Sequence, residues 1–466
     1  MNETNGQPEF ASDFIQSLVD EIERLIADRP LVSTEYRGAD LRQALARSLY
    51  FQFANDEACR RDWQSGPGWL AHRFATCSRR STAVLSVPRA MRDLLLDLQW
   101  RYLYKKGPSC RNKLVFAFAR ERFAHYLQAI GFNSNSALFY CGLPNPRSFA
   151  LSFSDIPLAL PSTLRPWRRY LDWKNPDLQV FALQRQLDIH LAFLERERPR
   201  AVVVVEGNAP FDEVLNQACK LTDIPCICIQ QGWSPIIHTG FRHLSFTKML
   251  VWGEDFGRLL SSYSPGQRFV ATGNHLVGCE ARSVSSPRNA ISFFLQARSP
   301  MIHKKVLDDF FVLIRRIGTA CPNLRMLVRD HPTARMNAAA HRSLDTLKNV
   351  EWVNPATSSL HDQLTRSRVS VSLFSTTLLE SVACGSVPVA VNPGILRQFI
   401  PSLAESGVGV EASTWNDAEA AIIKLCTDQQ FYEAHVSQHA DFVHRFFNGA
   451  TREESKEALR IELTRI

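Results

Sequence analysis

The sequence lacks the features of membrane-spanning, secreted and disulfide-rich proteins. No run reaches the roughly 18 apolar residues that a membrane-spanning helix needs. The first ten residues, MNETNGQPEF, are polar and acidic, without the basic and then apolar pattern of a secretory signal. The 11 cysteines are scattered without a CxxC pair, so we expect them to be reduced, mostly buried and not bound to zinc. These absences predict a cytoplasmic protein, bound at most peripherally to the inner face of the cytoplasmic membrane.

Several motifs of catalysis and nucleotide binding are missing as well. There is no GxxxxGK[ST], no GxGxxG after a strand, no HExxH and no GxSxG. These absences count against a P-loop NTPase, a dinucleotide oxidoreductase and an α/β-hydrolase. A DxD-type metal clamp is also missing, so we expect a site that works without a metal or another cofactor.

Positive charge is abundant in one segment of the chain. The formal net charge is +8, yet residues 60–113 alone carry twelve Lys and Arg against three Asp. Within this segment, residues 88–106 have the pattern of an amphipathic helix with aromatic residues and basic ends, which is typical of a helix on an anionic membrane. A packed helix with solvated charges is the alternative. The segment predicts an anionic partner, either a membrane surface or an acidic glycan or lipid, and it has no signature of a nucleic-acid-binding module.

The chain is long enough for more than one domain. It has 466 residues, 45% of them hydrophobic, which indicates a globular protein. Residues 1–110 have helical periodicity, whereas residues 111–284 and 285–466 each alternate short apolar strands with helices, across a linker at 283–288. A proline-rich stretch at 143–177 is expected to be a long loop. The predicted fold class is therefore α/β, with two doubly wound parallel sheets facing a cleft and a helical N-terminal extension.

Polar residues follow two predicted strands of the last domain. Arg329-Asp330-His331-Pro332 comes after one strand, and Ser375-Thr376-Thr377-Leu378-Leu379-Glu380 comes after another and opens a helix. Ligands bind at this edge of open α/β sheets, and a helix N-terminus attracts phosphate. His331 and the hydroxyls suit a phosphate, and Glu380 suits ribose hydroxyls. Without a ligand, Thr377 and Glu380 would form a capping box and His331 would be an ordinary loop residue.

Other strand ends supply further candidates. Arg298 and Arg329 lie at neighbouring strand ends and could bind a phosphate or a substrate carboxylate. In the first α/β domain Glu206 ends a strand of four consecutive valines and is the best candidate for a base or a nucleophile. The alternative for Glu206 is a structural partner of an arginine or a helix N-terminus. The candidates for binding an anionic acceptor or the donor carboxylate are Gln231, Gly232, His238 and Arg242.

Between residues 113 and 394 the sequence resembles GT-B glycosyltransferases of bacterial surface-polysaccharide assembly. The resemblance is strongest to enzymes with cytidine-activated donors, namely Kdo, sialyl and polysialyl transferases, and looser to CDP-polyol transferases. It rests on His331-Pro332, on Ser375-Thr376-Thr377, and on the Ile-Pro-x-x-x-x-Gln-x-Gly pattern that spans 224–232. It implies a GT-B fold, and it implies that the first two motifs grip the CMP portion of the donor.

The resemblance therefore implies transfer of an acidic sugar from a CMP-activated donor to a surface glycan or glycolipid. A UDP- or GDP-hexose transferase or epimerase, a CDP-polyol transferase and a non-catalytic GT-B-like subunit are the alternatives. Both inversion, with Glu206 as base, and retention, with Glu206 as nucleophile, fit the sequence.

Overall fold

The structure is a computed structural model. It describes residues 10–28, 34–64, 66–78, 111–117, 131, 136–140, 158–159, 176–278, 288–299, 301–331, 342–355 and 357–466. The predicted basic helix at 88–106, the linker at 283–287 and Pro332 lie outside these residues. The predicted domain boundaries at 110 and 284 fall at the edge of or within undescribed stretches, so they remain predictions.

A seven-stranded parallel sheet forms the first α/β unit. Its strands are β3 (Leu114–Phe116), β4 (Ala137–Tyr140), β5 (Leu158–Ala159), β6 (Ala201–Val205), β7 (Cys226–Ile229), β8 (Lys248–Val251) and β9 (Phe269–Ala271). They lie in the order β5-β4-β3-β6-β7-β8-β9. The valines of β6 are buried on both faces of the sheet, which is why this strand is a continuous apolar run. The helices described for this unit are α5 (Pro176–Glu197), α6 (Pro210–Leu221) and α7 (Glu254–Ser261).

A six-stranded parallel sheet forms the second α/β unit. Its strands are β10 (Ala290–Phe294), β11 (Arg325–Arg329), β12 (Val350–Val353), β13 (Ser367–Ser372), β14 (Val387–Val391) and β15 (Val410–Ala412), in the order β12-β11-β10-β13-β14-β15. Its helices are α8 (Lys304–Ala320), α9 (Leu360–Arg366), α10 (Thr376–Ala383), α11 (Trp415–Thr427), α12 (Gln429–Val436), α13 (His439–Phe447) and α14 (Arg452–Thr464). The reversal of strand order beside β10 places the ends of β10, β11 and β13 at one crevice, the usual ligand site of such sheets.

The N-terminal region is a helical layer that contacts both α/β units. It contains α1 (Ala11–Asp28), α2 (Arg42–Phe53), α3 (Glu57–Trp63) and α4 (Trp69–Ser78), with a short hairpin of β1 (Glu35–Tyr36) and β2 (Ala39–Asp40). At the start of α1, the N–H of Ser12 donates to the carbonyl of Ile395 at 2.9 Å. Near its end, Glu23 accepts from Arg242 at 2.9 Å. Helix α1 thus ties the second unit to the first.

The predicted architecture is confirmed, with local corrections. Two parallel sheets with alternating helices follow a helical N-terminal layer. The expectation of an uninterrupted loop at 143–177 was wrong in part, because Leu158 and Ala159 pair with β4 as an edge strand and α5 already begins at Pro176. A strand of two residues carries too short an apolar pattern to be recognised from the sequence. In the described part of the chain, no helix is long and apolar enough to cross a membrane.

Candidate active site between the two sheets

Glu206 lies on a tight left-handed turn at the carboxyl end of β6. Both Glu206 and Gly207 have positive φ, +66° and +65°. The Glu206 N–H donates to the Ile229 carbonyl at 2.8 Å, which continues the pairing of β6 with β7. A left-handed glutamate costs energy, and such outliers occur preferentially at functional sites. The turn directs a carboxylate out of the edge of the sheet.

Gly207 is required by sterics as well as by its backbone angle. A Cβ at this position would lie 2.6 Å from Cys228 Sγ and 2.8 Å from the ring of Phe246. Both neighbours belong to the core under the sheet edge and are buried. The backbone of Gly207 therefore packs directly onto the core, and there is no space for a side chain at this position.

The loop after β7 brings the two sheets together. A Cβ at Gly232 would lie 3.9 Å from Glu206 Oε1 and 3.4 Å from Thr376 Oγ1. Glu206 ends a strand of the first sheet, whereas Thr376 begins α10 of the second sheet. The backbone of Gly232 thus lies between the candidate carboxylate and the candidate phosphate-binding helix. The structure brings these three predicted residues to one place.

The hydroxyl of Thr376 is used in holding the two units together. It accepts a hydrogen bond from the Trp233 N–H at 3.0 Å and donates one to the Trp233 carbonyl at 3.1 Å. The Trp233 indole N–H also donates to the carbonyl of Ile400 in the second unit. Among the hydroxyls of the Ser375-Thr376-Thr377 motif, that of Ser375 is therefore better placed for a ligand than that of Thr376.

Helix α10 begins at Thr376, with Ser375 as its N-cap. The Ser375 Oγ accepts a hydrogen bond from the Thr377 N–H at 3.2 Å. The predicted capping box from Thr377 to Glu380 is wrong, because the N-cap is Ser375, two residues earlier, and Glu380 accepts from Asn274 instead. The N-terminus of α10 keeps its partial positive charge at the crevice.

Glu380 is buried at the contact between the units. It is 6% exposed, and its Oε1 accepts from the Asn274 amide at 3.4 Å. Burial raises the pKa of Glu380 to about 7, and the bond from Asn274 opposes that rise. The Asn274 Oδ1 accepts from the N–H of Leu276 at 2.9 Å, which fixes the segment after β9. Glu380 therefore links α10 to the segment after β9, and its carboxyl group does not face open solvent.

The second sheet places His331 and Ser375 on either side of the end of β10. Strands β11 and β13 both pair with β10, so their ends lie about 10 Å apart across one intervening strand. Just after β10, the amide of Gln296 bonds both the N–H, at 3.0 Å, and the carbonyl of Phe374. Arg298 follows and is exposed. His331, Arg298 and Ser375 thus follow three neighbouring strands, which end at one crevice.

Arg329 is turned away from that crevice into the second unit. It is 9% exposed, and its Nη1 donates to the Ser358 carbonyl at 3.0 Å and to Gln363 Oε1 at 3.3 Å. Burial lowers the pKa of this guanidinium. The Nη1 nitrogen of Arg329 therefore stabilises the start of α9, and Arg298 is the better candidate for a phosphate.

His238 and Arg242 face the N-terminal helices rather than the crevice. The His238 ring stacks on Tyr50 of α2 at 4.5 Å between centroids, and burial lowers its pKa to about 3. Arg242 pairs with Glu23 of α1 at 2.9 Å. Both side chains already have partners in the helical layer, so neither is placed to bind an anionic substrate. The last residue of this candidate group, Gln231, is half-buried beside Gly232.

A small, largely apolar cleft of about 20 Å³ opens beside the start of α10. Its walls come from the loop after β7, from the start of α10 and from the segment after β14. The lining residues include Trp233, Pro235, Phe374, Ser375, Phe399 and Pro401. The cleft places apolar surface next to the N-cap hydroxyl of Ser375.

One charged residue near the site was not anticipated from the sequence. Arg47 of α2 is fully buried, and its Nη1 donates to the Gly207 carbonyl at 2.9 Å. It also pairs with Glu213 at 3.1 Å. The available signal was an arginine between Ala46 and Leu49 in an otherwise apolar helical stretch, which by itself does not indicate a partner. Among the described residues, no group of three or more His, Cys, Asp or Glu is arranged to hold a metal ion.

No family model matches the sequence, and no curated protein is similar to it. The solved structures include similar folds. A protein of Listeria monocytogenes described as a UDP-N-acetylglucosamine 2-epimerase aligns with a TM-score of 0.51 and 11% identity, over 76% of this chain and 97% of that chain. UDP-GlcNAc 2-epimerase from Neisseria meningitidis, bound to UDP-GlcNAc, aligns with a TM-score of 0.51 and 14% identity, over 76% of this chain and 100% of that chain. A spinosyn rhamnosyltransferase aligns with a TM-score of 0.44 and 15% identity, over 76% of this chain and 100% of that chain. The chain therefore has a GT-B-like fold of two Rossmann-like domains.

Proposed function

We propose that this protein is a nucleotide-sugar-dependent glycosyltransferase, which transfers a Kdo- or sialic-type sugar from a CMP-activated donor to a surface glycan or glycolipid. One observation carries the proposal. Glu206 of the first sheet and the start of α10 of the second sheet approach the same point, at Gly232. A carboxylate opposite a helix N-terminus that can hold a phosphate suits sugar transfer from a nucleotide.

The second unit supplies the groups for the nucleotide. As the donor bond breaks, negative charge grows on the departing phosphate. The N-terminus of α10, the Ser375 hydroxyl, His331 and Arg298 would stabilise that charge, because they surround the crevice at the end of β10. These groups supply positive charge without a metal, so we expect the reaction to proceed in a chelator.

The first unit supplies Glu206. Positive charge develops at the anomeric carbon of the sugar as CMP leaves, and a nearby carboxylate stabilises it. Glu206 would either take the proton of the acceptor hydroxyl or attack the anomeric carbon itself. The first role inverts the anomeric configuration and the second retains it, so the product configuration assigns the role.

The choice of CMP rests on the sequence motifs, His331-Pro332 and Ser375-Thr376-Thr377. A second candidate is a UDP-GlcNAc 2-epimerase, which the fold similarity to two such proteins favours. Both reactions need an anchored nucleotide phosphate. They differ in that a transferase consumes an acceptor and an epimerase does not.

A donor panel tests the proposal. The protein is incubated with CMP-Kdo, CMP-sialic acid, UDP-GlcNAc or GDP-mannose, with an acidic glycan or glycolipid acceptor and EDTA, and products are identified by mass spectrometry and NMR. We expect acceptor-dependent release of CMP and a glycosylated product with a CMP-sugar. Epimerisation of UDP-GlcNAc without acceptor, or transfer from UDP- or GDP-sugars alone, would overturn the CMP assignment. Glu206→Gln is the test variant, and Glu254→Gln, an exposed carboxylate of α7, is its matched control.

We also propose that residues 60–113 bind an anionic membrane surface, since twelve Lys and Arg stand there against only three Asp. Flotation with vesicles of neutral lipid, and with vesicles containing anionic lipid, tests this. Recovery with anionic vesicles alone supports the idea, and equal recovery with both removes it.

A further inference from the structure

Arg47 is a fully buried arginine that reaches from the N-terminal layer to the edge of the first sheet. Its Nη1 donates to the Gly207 carbonyl at 2.9 Å, a contact between residues 160 positions apart. The same guanidinium pairs with Glu213 at 3.1 Å, and both side chains are at most 1% exposed. Helix α2 thus contacts the left-handed turn that carries Glu206.

The contact is a hydrogen bond to the carbonyl of Gly207, which is part of the left-handed turn. Glu206 and Gly207 both lie in the left-handed region, Gly207 is buried, and Arg47 supplies a donor to its carbonyl. A buried carbonyl without a donor is costly, so the turn depends on Arg47 for its geometry. A displaced turn would move Glu206 away from Gly232 and α10.

Arg47 is buried among polar and acidic groups, some of which have no hydrogen-bond partner. Among the described residues its Nε and Nη2 have no hydrogen-bond partner, and the hydroxyl of nearby Thr239 has none either. The acidic groups facing it are Glu213 and Asp212 of α6, and burial, with a smaller effect of Glu206, raises the pKa of Asp212 to about 7. On the other side lies neutral His238, stacked on Tyr50. Apolar residues of similar volume are often as stable as a buried ion pair, so the arginine indicates a functional requirement.

We infer that Arg47 is a positioning residue, which holds the Glu206-Gly207 turn so that the Glu206 carboxylate faces the nucleotide-binding helix of the second unit. The inference rests on the proposed function, since it takes Glu206 as the reacting carboxylate. It also gives the N-terminal helical layer a role in the active site. That layer is then part of the catalytic unit and not an appendage.

The test separates the bond to Gly207 from the ion pair with Glu213. Glu213→Gln keeps the Arg47 bond to the turn and leaves Asp212 as the acidic group that faces the guanidinium. The double variant Arg47→Met with Glu213→Gln removes the bond without leaving an unpaired buried charge. The matched control is Lys248→Met, which removes a buried, ion-paired lysine of β8 that contacts Glu462 but not the turn.

We expect the double variant to lose on the order of 10²-fold in kcat, because small displacements of a reacting group are costly, while the Kd for CMP stays unchanged. Glu213→Gln and Lys248→Met should keep kcat, and Arg47→Lys with Glu213→Gln should recover part of the loss. A merely structural role of Arg47 would lower the melting temperature without this split between kcat and CMP binding. A double variant that keeps kcat within about twofold of Glu213→Gln overturns the inference.

A second readout does not depend on activity. Hydrogen–deuterium exchange should show faster exchange at 203–209 in the double variant than in Glu213→Gln, because the Glu206 N–H bond to Ile229 loosens with the turn. Exchange at 387–391, in the second sheet, should not change. Unchanged exchange at both segments overturns the inference even if no sugar donor is ever turned over. If the protein has no nucleotide-sugar activity but exchange at 203–209 is faster in the double variant, the proposed function is refuted. The role of Arg47 in holding the turn is then still supported.

Discussion

Replacing Gly207 by alanine tests the geometry on which the candidate site depends. The new Cβ would lie 2.6 Å from Cys228 Sγ and 2.8 and 2.9 Å from two ring carbons of Phe246. Both neighbours are buried in the core, so they cannot swing away as an exposed side chain would. The backbone angle adds to the steric penalty, because φ is +65° and alanine avoids the left-handed region.

The two penalties can be estimated separately. A left-handed alanine costs about 1–2 kcal/mol relative to glycine. Overpacking a core by one methyl group that has no space costs about 1–3 kcal/mol more. Gly207→Ala should therefore lower the free energy of unfolding by roughly 2–5 kcal/mol.

Gly266 provides the matched control. It also has a positive φ, +88°, and no atom lies within 4 Å of a Cβ built on it. Gly266→Ala should cost only the backbone part, about 1–2 kcal/mol. Urea unfolding at 25 °C, with the m-value checked for equality, measures both variants. Equal losses in the two variants would refute the close packing of the turn on Cys228 and Phe246.

Three further predictions concern the contact between the units. Glu206→Gln should lower turnover by about 10²–10⁴-fold while leaving CMP binding and stability unchanged, and a steady-state assay that finds full activity removes Glu206 from the chemistry. Thr376→Val removes both bonds to the Trp233 backbone and should cost about 1–3 kcal/mol in urea unfolding, since Trp233 keeps its buried polar groups; a cost near zero contradicts the link between the sheets. Burial raises the pKa of Glu380 from 4.5 to about 7, so the folded protein holds a proton that the unfolded chain releases, and stability falls as pH rises from 4.5 to 7. Glu380→Gln should therefore gain on the order of 3 kcal/mol over the native chain across that window, measured by urea unfolding at several pH values, and a pH-independent difference contradicts a protonated Glu380.

The sheets could be predicted because their strands are buried on both faces. Strands such as Ala201–Val205 and Val387–Val391 are continuous apolar runs bounded by turn residues, and such runs need no tertiary information to be recognised. The parallel order followed from their alternation with helices. The same reasoning placed Glu206, His331 and Ser375 at carboxyl edges, because each directly follows such a run.

The partners of those residues could not be predicted in the same way. The bonds from Thr376 to Trp233 join residues 143 positions apart, and the bond from Arg47 to Gly207 joins residues 160 apart. Local patterns carry no signal of such pairs. The capping box from Thr377 to Glu380 failed for a related reason, because the motif fits the local sequence while Asn274, from the other unit, takes the glutamate.

The central claim is that CMP binds at the start of α10 opposite Glu206. Hydrogen–deuterium exchange with and without saturating CMP tests it most directly, with UMP and GDP at equal concentration as comparisons. The claim predicts slower exchange at 372–380 and at 204–209 with CMP, and a smaller effect with the other nucleotides. Protection that is confined to other segments, or that is equal with all three nucleotides, would contradict it.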